Sequence, residues 1–265
     1  MSDLTADAEK SGQNKIALRA RLLTARRSLS DEARSSAAAQ LQDQTLALVR
    51  RTSARTVAAY VPTGSEPGGP SLPHLLAAAL PPGGRLLLPV LLPDNDLDWA
   101  VFTGELKPAS RGLHEPTGPR LGPEAIRTAD LLLVPALAVA DDGTRMGRGG
   151  GSYDRALSRL LPHTSDSTGR TDLTGSDLAP GITSDTELLP GITSDTKLLP
   201  GVTSGTELLP ALDPPVTGLP LGTLTVALLH DGETLASVPT DPHDRTVQAV
   251  LTPSGGFSHR PLNRS

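Results

Sequence analysis

Residues 131–157 read LLLVPALAVADDGTRMGRGGGSYDRAL. The stretch opens on four consecutive apolar residues. An apolar run this short, with no polar alternation and a turn on each side, marks a strand buried on both faces. An acidic turn, Asp141-Asp142-Gly143, leads into a segment where four of the nine residues from 145 to 153 are glycine and two are arginine. A helix is expected over 153–161. Strand, glycine-rich turn and helix in succession is the start of a parallel α/β arrangement.

The same alternation runs outward in both directions. Upstream, apolar runs at 56–61 and 85–92 read as strands, and 97–102 as an edge strand. A helix is expected over 15–29, with Leu18, Leu22, Ala25 and Leu29 inward and Lys15, Arg19 and Arg26 on an adjacent cationic stripe. Ser30 is a fitting N-cap for a second helix, with Asp31 and Glu32 in its first turn and Leu41, Leu48 and Val49 inward. A third helix spans 71–80. Downstream, 223–229 (TLTVALL) is a second buried strand and 247–251 closes the sheet. The expected fold is a single α/β domain whose mainly parallel sheet is covered by helices on both faces.

One segment departs from this pattern. APGITSDTEL, LPGITSDTKL and LPGVTSGTEL follow one another with Pro180, Pro190, Pro200 and Pro210 in register. Each unit offers two or three apolar residues, too few to offset chain entropy of about 1–2 kcal/mol per residue. Residues 163–219 are therefore expected to be a disordered insertion. The flanking segments 14–162 and 220–252 form the domain, and 1–13 and 253–265 are expected to be flexible ends.

Charge and composition narrow the partners. The net charge of -5 is concentrated: eight acidic and two basic residues fall between His163 and Pro220, leaving 22 basic and 21 acidic residues elsewhere. The body is close to neutral, and aromatics make up only 2% of the chain, so no basic patch with interleaved rings invites nucleic acid. There is no cysteine, which excludes disulfides and thiolate metal sites. No signal peptide and no apolar run of about 18 residues is present, so a soluble, cytoplasmic protein is expected; a monomer is expected as well.

The glycine segment has a chemistry of its own. Successive glycines let backbone N–H groups approach an anion, and the helix starting near Tyr153 adds the positive end of its dipole. Arg145 and Arg148 add charge-assisted donors suited to phosphate. The competing reading is a flexible connection with solvated arginines. GRGGGS matches neither GxxxxGK[ST] nor GxGxxG well.

The larger context resembles the signature of the 5-formyltetrahydrofolate cyclo-ligase family: a valine-proline-alanine-leucine-alanine run, an acidic turn, then arginine-x-glycine-x-glycine-x-glycine ending in tyrosine and aspartate. Lys15-xxx-Arg19 with LLTARRSLS resembles its N-terminal helix, VAAYVPTGSEP its substrate loop, and RGLHEP its glycine-x-x-glutamate-proline element. VALLHDGETLASVPTDPHDRTVQAVLT resembles its last strands. The resemblance implies cyclisation of 5-formyltetrahydrofolate to 5,10-methenyltetrahydrofolate with MgATP as co-substrate, releasing ADP and phosphate. It implies that ATP meets Lys15, Arg19 and the loop Arg145, Met146, Gly147, Arg148, Gly149, Gly150, Gly151, Ser152 and Tyr153. Arg145, Arg148 and Tyr153 are the implied catalytic groups, and Val61 and Glu66 hold the folate. Asp154 is the implied Mg²⁺ ligand, with Gln248 where the family has a last-strand aspartate. Ser152 replaces the first tyrosine of a pair, and Gly150 replaces a basic residue found in some members.

Other readings of these residues stay open. Lys15 and Arg19 fit a solvated helix face, Glu66 a turn exposed to solvent, Tyr153 a cap on the core, and His243–Asp244 a turn cap. A non-catalytic binder of ATP or folate would use the same loop. The repeat is too polar to contribute to a core. Replacing residues 165–215 with a short Gly/Ser linker is therefore expected to leave melting temperature and turnover nearly intact. A large loss of either would make the repeat structural.

Overall fold

The computed structural model describes residues 2–161 and 222–261, with side chains from residue 12 onward. The expected insertion, residues 163–219, and its decapeptide repeat lie outside the described residues. The helices are α1 (Ser2–Ser28), α2 (Asp31–Thr52), α3 (Leu72–Ala79) and α4 (Ser152–Arg159). The strands are β1 (Thr56–Ala58), β2 (Arg85–Leu91), β3 (Leu97–Val101), β4 (Leu106–Pro108), β5 (His114–Pro116), β6 (Leu131–Pro135), β7 (Ala138–Ala140), β8 (Arg145–Met146), β9 (Leu224–Leu228), β10 (Thr234–Leu235), β11 (Ala249–Thr252) and β12 (Gly256–His259).

Seven strands form one sheet in the order β12-β11-β9-β6-β1-β2-β3. The five central strands are parallel, and β3 and β12 run antiparallel at the two edges. The run LLLV of β6 lies at the centre and explains the two-faced burial. Leu131 and Leu133 pack on one face with Leu41, Leu48 and Val49 of α2 and Leu72 and Leu76 of α3. Leu132 and Val134 point the other way, to Trp99, Ile126 and the α4 residues Ala156 and Leu157. The side-chain period of two thus builds two cores from one strand. Asp130, just before β6, accepts the backbone N–H groups of Arg55 and Thr56 at 2.8 Å each, fixing the start of β1 beside it.

The helices follow their sequence signals in part. The hydroxyl of Ser30 accepts the N–H of Ala33 at 3.1 Å, and α2 turns Leu41, Leu48 and Val49 inward as expected. α4 is anchored at its far end by Arg159, which holds Asp96 through two contacts of 3.0 and 2.5 Å. α1 differs from the expectation. Ala25 is exposed, and the stripe that faces the protein contains Lys15, Leu22 and Arg26, all buried, with Leu18, Arg19 and Leu23 half-buried. The leucines meet a three-stranded sheet, β10-β7-β8, through Leu137, Ala138, Ala140, Met146 and Val238. α1 therefore covers a hairpin beside the main sheet rather than a face of it, and its cations are turned in toward the carboxylates of Glu233, Asp241 and Asp244 and the carbonyls of Ala136 and Gly147.

The described parts of both ends, expected to be flexible, take regular structure. α1 begins at Ser2, in a stretch whose one strong helix breaker is Gly12. In the tail, Gly256 (φ 65°) turns the chain back so that β12 pairs with β11, and Phe257 packs against the core. Among the described residues, no helix is long and apolar enough to cross a membrane.

The two cores give a test at adjacent residues. Leu132→Ala and Leu133→Ala empty opposite faces, and each is expected to cost about 2–5 kcal/mol of unfolding free energy in denaturant titration. A cost below about 1 kcal/mol at either residue would mean that its face is not covered as described.

Candidate functional site

The carboxyl ends of β1 and β6 open at one edge of the sheet, where ligands gather in parallel α/β folds. From β6 the chain makes the β7–β8 hairpin and then passes through Gly147–Gly151 (residues 147–151) into α4. Three of the four glycines answer a local demand. Gly149 (φ 107°) and Gly151 (φ 70°) adopt backbone conformations that L side chains rarely take. At Gly147 a Cβ would lie 2.6 Å from Nη1 of Arg145. Gly150 has neither constraint: the nearest atom to its Cβ position is Oγ of Ser152, at 3.6 Å. Gly151 is the N-cap of α4 and supplies no side-chain acceptor, which leaves the first-turn amides directed at the loop.

This loop forms one wall of a cavity of about 770 Å³. Arg145 is buried beneath it, donating to Asp154 Oδ1 at 2.7 Å and to the carbonyl of Pro135 at 3.2 Å, while its Nε has no partner among the described residues. Asp154 Oδ1 also accepts the N–H of Arg245 at 3.3 Å. Arg148 is half-exposed and lies 3.3 Å from Glu66 Oε1. Arg19 donates from Nε to the carbonyl of Gly147 at 3.1 Å, tying α1 to the loop. Val61, Glu66, Ser152 and Tyr153 line the same cavity.

The acidic and phenolic groups are set by burial. Glu66 Oε2 accepts the N–H of Thr63 at 2.9 Å, yet desolvation outweighs this bond and the nearby Arg148, and raises its pKa above the usual carboxylate range. Burial first, and then the charge of Glu66, raises the pKa of Tyr153, so its phenol is neutral; its hydroxyl has no partner among the described residues. Tyr153 also packs on both sheet cores, so the capping reading and the cavity reading both hold for it.

Three expected site residues sit elsewhere. Met146 is buried against α1, and its carbonyl accepts the N–H of Leu137 at 2.8 Å, because β8 is a strand and turns this side chain away from the cavity. Lys15 is not part of the cavity wall. Its ammonium lies buried, 2.6 Å from Asp241 Oδ2 and 2.5 Å from Asp244 Oδ2, and the hydrogen bond from Lys15 holds Asp241 below the usual carboxylate range. Gln248 is the third. It precedes β11, where its Oε1 accepts the N–H of Thr225 at 2.8 Å, so its amide is spent on the beginning of β9.

Sequence reasoning left several cavity residues out of the site. Asp244, read as a turn cap, and Arg245, which was not singled out, lie four and three positions before Gln248 and reach the cavity instead of it. The turn-capping reading of Asp244 is nonetheless right: its Oδ2 accepts the N–H of Asp241 at 2.7 Å. Arg26 and Tyr60 also line the cavity; Arg26 was visible as the third cation of the α1 stripe, whereas nothing local marked Tyr60. Asp241, His243 and Asp244 bring one ligand atom each within 4.8 Å of one another. With Asp154 across the cavity, carboxylate oxygens are the donors a hard divalent cation would take here.

The chain matches the 5-formyltetrahydrofolate cyclo-ligase family over residues 11–174. It is 33% identical, over 253 residues, to the 5-formyltetrahydrofolate cyclo-ligase of Mycolicibacterium smegmatis, an alignment covering 93% of this chain and 97% of the relative. Its fold is similar to that of a 5,10-methenyltetrahydrofolate synthetase from Aquifex aeolicus, with a TM-score of 0.56, 20% identity, and coverage of 95% of this chain and 94% of that one. A 5,10-methenyltetrahydrofolate synthetase from Mycoplasma pneumoniae gives a TM-score of 0.52 at 15% identity, covering 89% and 97%. At these identities the two structures speak for the fold, and the sequence match speaks for the lineage: this chain belongs to the 5-formyltetrahydrofolate cyclo-ligase family.

Proposed function

We propose that this protein catalyses ATP-dependent cyclisation of 5-formyltetrahydrofolate to 5,10-methenyltetrahydrofolate, with release of ADP and phosphate. The observation that carries this reading is the convergence, in one cavity, of a glycine loop backed by arginines and a half-buried carboxylate, Glu66. The first suits a polyphosphate and the second a ring bearing N–H donors.

The chemistry requires a leaving group. A formamide oxygen leaves poorly, so attack of the neighbouring anilino nitrogen on the formyl carbon stalls. Transfer of the γ-phosphoryl group of ATP to that oxygen releases ADP and makes the oxygen part of a phosphate. The anilino nitrogen then forms its bond to the formyl carbon and gives up its proton, and the carbon–oxygen bond breaks to release phosphate. Phosphoryl transfer needs positioning and charge stabilisation more than covalent help from the protein. The amides of the loop and of the first turn of α4 bind the phosphate chain. Arg148, held by one contact to Glu66, swings onto the transferring group and frees Glu66 to accept N–H groups of the pterin. Arg145 is tied on two sides and acts through Asp154, which it orients.

Asp154 and Asp244 are the residues that would hold Mg²⁺, since this ion prefers a few carboxylate oxygens together with phosphate and water. When bound it neutralises charge on the phosphate oxygens. Asp244 thus takes the role that the sequence comparison gave to Gln248.

Incubation with 5-formyltetrahydrofolate and MgATP is expected to raise the near-ultraviolet absorbance of the methenyl product. Binding of both ligands without this rise would leave a binding protein instead. Glu66→Gln is expected to weaken folate binding roughly 10- to 100-fold, the cost of removing a charged hydrogen-bond partner, and to spare ATP. Because burial raises the pKa of Glu66, its ionised form costs stability at pH above that pKa, and the cost vanishes once the pH is low enough to protonate the carboxyl in the unfolded chain as well. The variant should therefore melt no lower than the wild type at neutral pH. Equal losses for both ligands would remove Glu66 from the folate site.

The two arginines should separate cleanly. Arg148→Ala is expected to slow turnover at least tenfold with little change in melting temperature, because the side chain is half-exposed. Arg145→Ala strands Asp154 and should lose about 3–5 kcal/mol of stability as well as activity. Full turnover in the Arg148 variant would return the loop to a passive connection.

A further inference from the structure

We infer that His230 is a positioning residue for Glu66, held in place by the buried ion pair of Arg26 and Glu233. This inference rests on the reading of Glu66 as the folate carboxylate.

The turn that carries Glu66 has little structure of its own. It leaves β1 after Tyr60 and is closed by a single backbone bond, from Glu66 N–H to the Thr63 carbonyl at 3.2 Å, with the Glu66 carboxylate capping the Thr63 N–H. Besides the Arg148 contact to the carboxylate, two side-chain hydrogen bonds hold its backbone. The hydroxyl of Tyr60 donates to the carbonyl of Pro67 at 2.6 Å, and the His230 ring meets the carbonyl of Ser65 through Nε2 at 3.0 Å. A carbonyl can only accept, so Nε2 carries the hydrogen. Nδ1 is buried without a partner among the described residues, and so the ring's sole polar tie is to the residue next to Glu66.

What holds His230 is distant in sequence. Its backbone N–H donates to Glu233 Oε2 at 2.7 Å. Glu233 is gripped by Arg26 through two bonds, 2.6 Å from Nε and 2.7 Å from Nη2, and Nη2 also donates to the carbonyl of Ala136 at 2.5 Å. Arg26, Glu233 and His230 are all at least nine-tenths buried. A bidentate guanidinium–carboxylate pair has a fixed geometry, and its burial makes any displacement costly. Helix α1, the end of β6 and the turn after β9 thus meet at one ion pair, and His230 extends that rigid point to the substrate turn. Neither His230 nor Glu233 belongs to the cavity wall, so each acts on ligands through Glu66.

The test compares His230→Leu, which keeps bulk but removes the donor, with His230→Gln, whose amide can place an N–H near the Nε2 position. The leucine variant is expected to raise the KM for 5-formyltetrahydrofolate about five- to tenfold, the range for one lost neutral hydrogen bond. The KM for ATP should stay unchanged. Hydrogen exchange at the Glu66 amide should quicken in the ligand-free protein. The glutamine variant should restore both readouts toward wild type. In His230→Leu/Glu66→Gln, the second change should add little to the folate KM. Parallel rises in both KM values, or no rescue by glutamine, would overturn the positioning role in favour of a packing role. If Glu66→Gln weakens folate binding while His230→Leu does not, positioning fails and the functional reading stands. If Glu66→Gln itself leaves folate binding unchanged, the substrate reading falls, and this inference falls with it.

Discussion

Arg145 is the side chain on which the arrangement of the site depends. One guanidinium ties the end of β6, through the Pro135 carbonyl, to the first turn of α4, through Asp154. Its Nη1 also fills the space where residue 147 would place a Cβ. Burying a cation is costly unless it is paired and hydrogen-bonded. The pairing with Asp154 offsets that cost only if α4 begins where it does. The path of the glycine loop, the direction of the helix and the placement of the carboxylate are consequences of satisfying this one charge.

The same logic recurs around the cavity. Lys15 faces Asp241 and Asp244, Arg26 faces Glu233, and Arg148 faces Glu66. In the ligand-free protein these cations are met by carboxylates. Under the proposed function, binding of a nucleotide would therefore exchange partners rather than fill a charged void. The buried pairs, such as Arg26–Glu233, set geometry, whereas the half-exposed Arg148–Glu66 pair is weak enough to open.

Much of the fold was legible because buried parallel strands leave an unmistakable trace. LLLV at 131–134 and TVALL at 225–229 have no polar face, and the Ser30 cap preceded α2 as its chemistry demands. The short strands left no such trace: β7, β8 and β10 have two or three residues, too few for a period of two to emerge. That is why Met146 reads as a loop residue in the sequence although it is a strand residue facing α1. The tail hides its strand for a related reason, since the four residues of β12 are recognisable only as partners of β11. Within the site, local pattern marked the glycine loop and its two arginines, whereas Glu66 and Asp154 were reached only through the family resemblance. The roles of Lys15, Arg26 and Asp244 were not legible, because they arise from ion pairs joining residues more than two hundred positions apart. A helical stripe gives the spacing of its cations but not what they face.

The freedom at Gly150 bears on how such a loop can drift. Three of its glycines are fixed by backbone conformation or by the guanidinium beneath them, so mutation there breaks the loop before it changes the chemistry. Gly150 alone of the four can accept a side chain without strain or overlap. A cation could appear there by substitution of one residue and add charge to the loop without disturbing the framework. The loop thus separates into a rigid part and one adjustable position, at which its charge could change while its architecture stays constant.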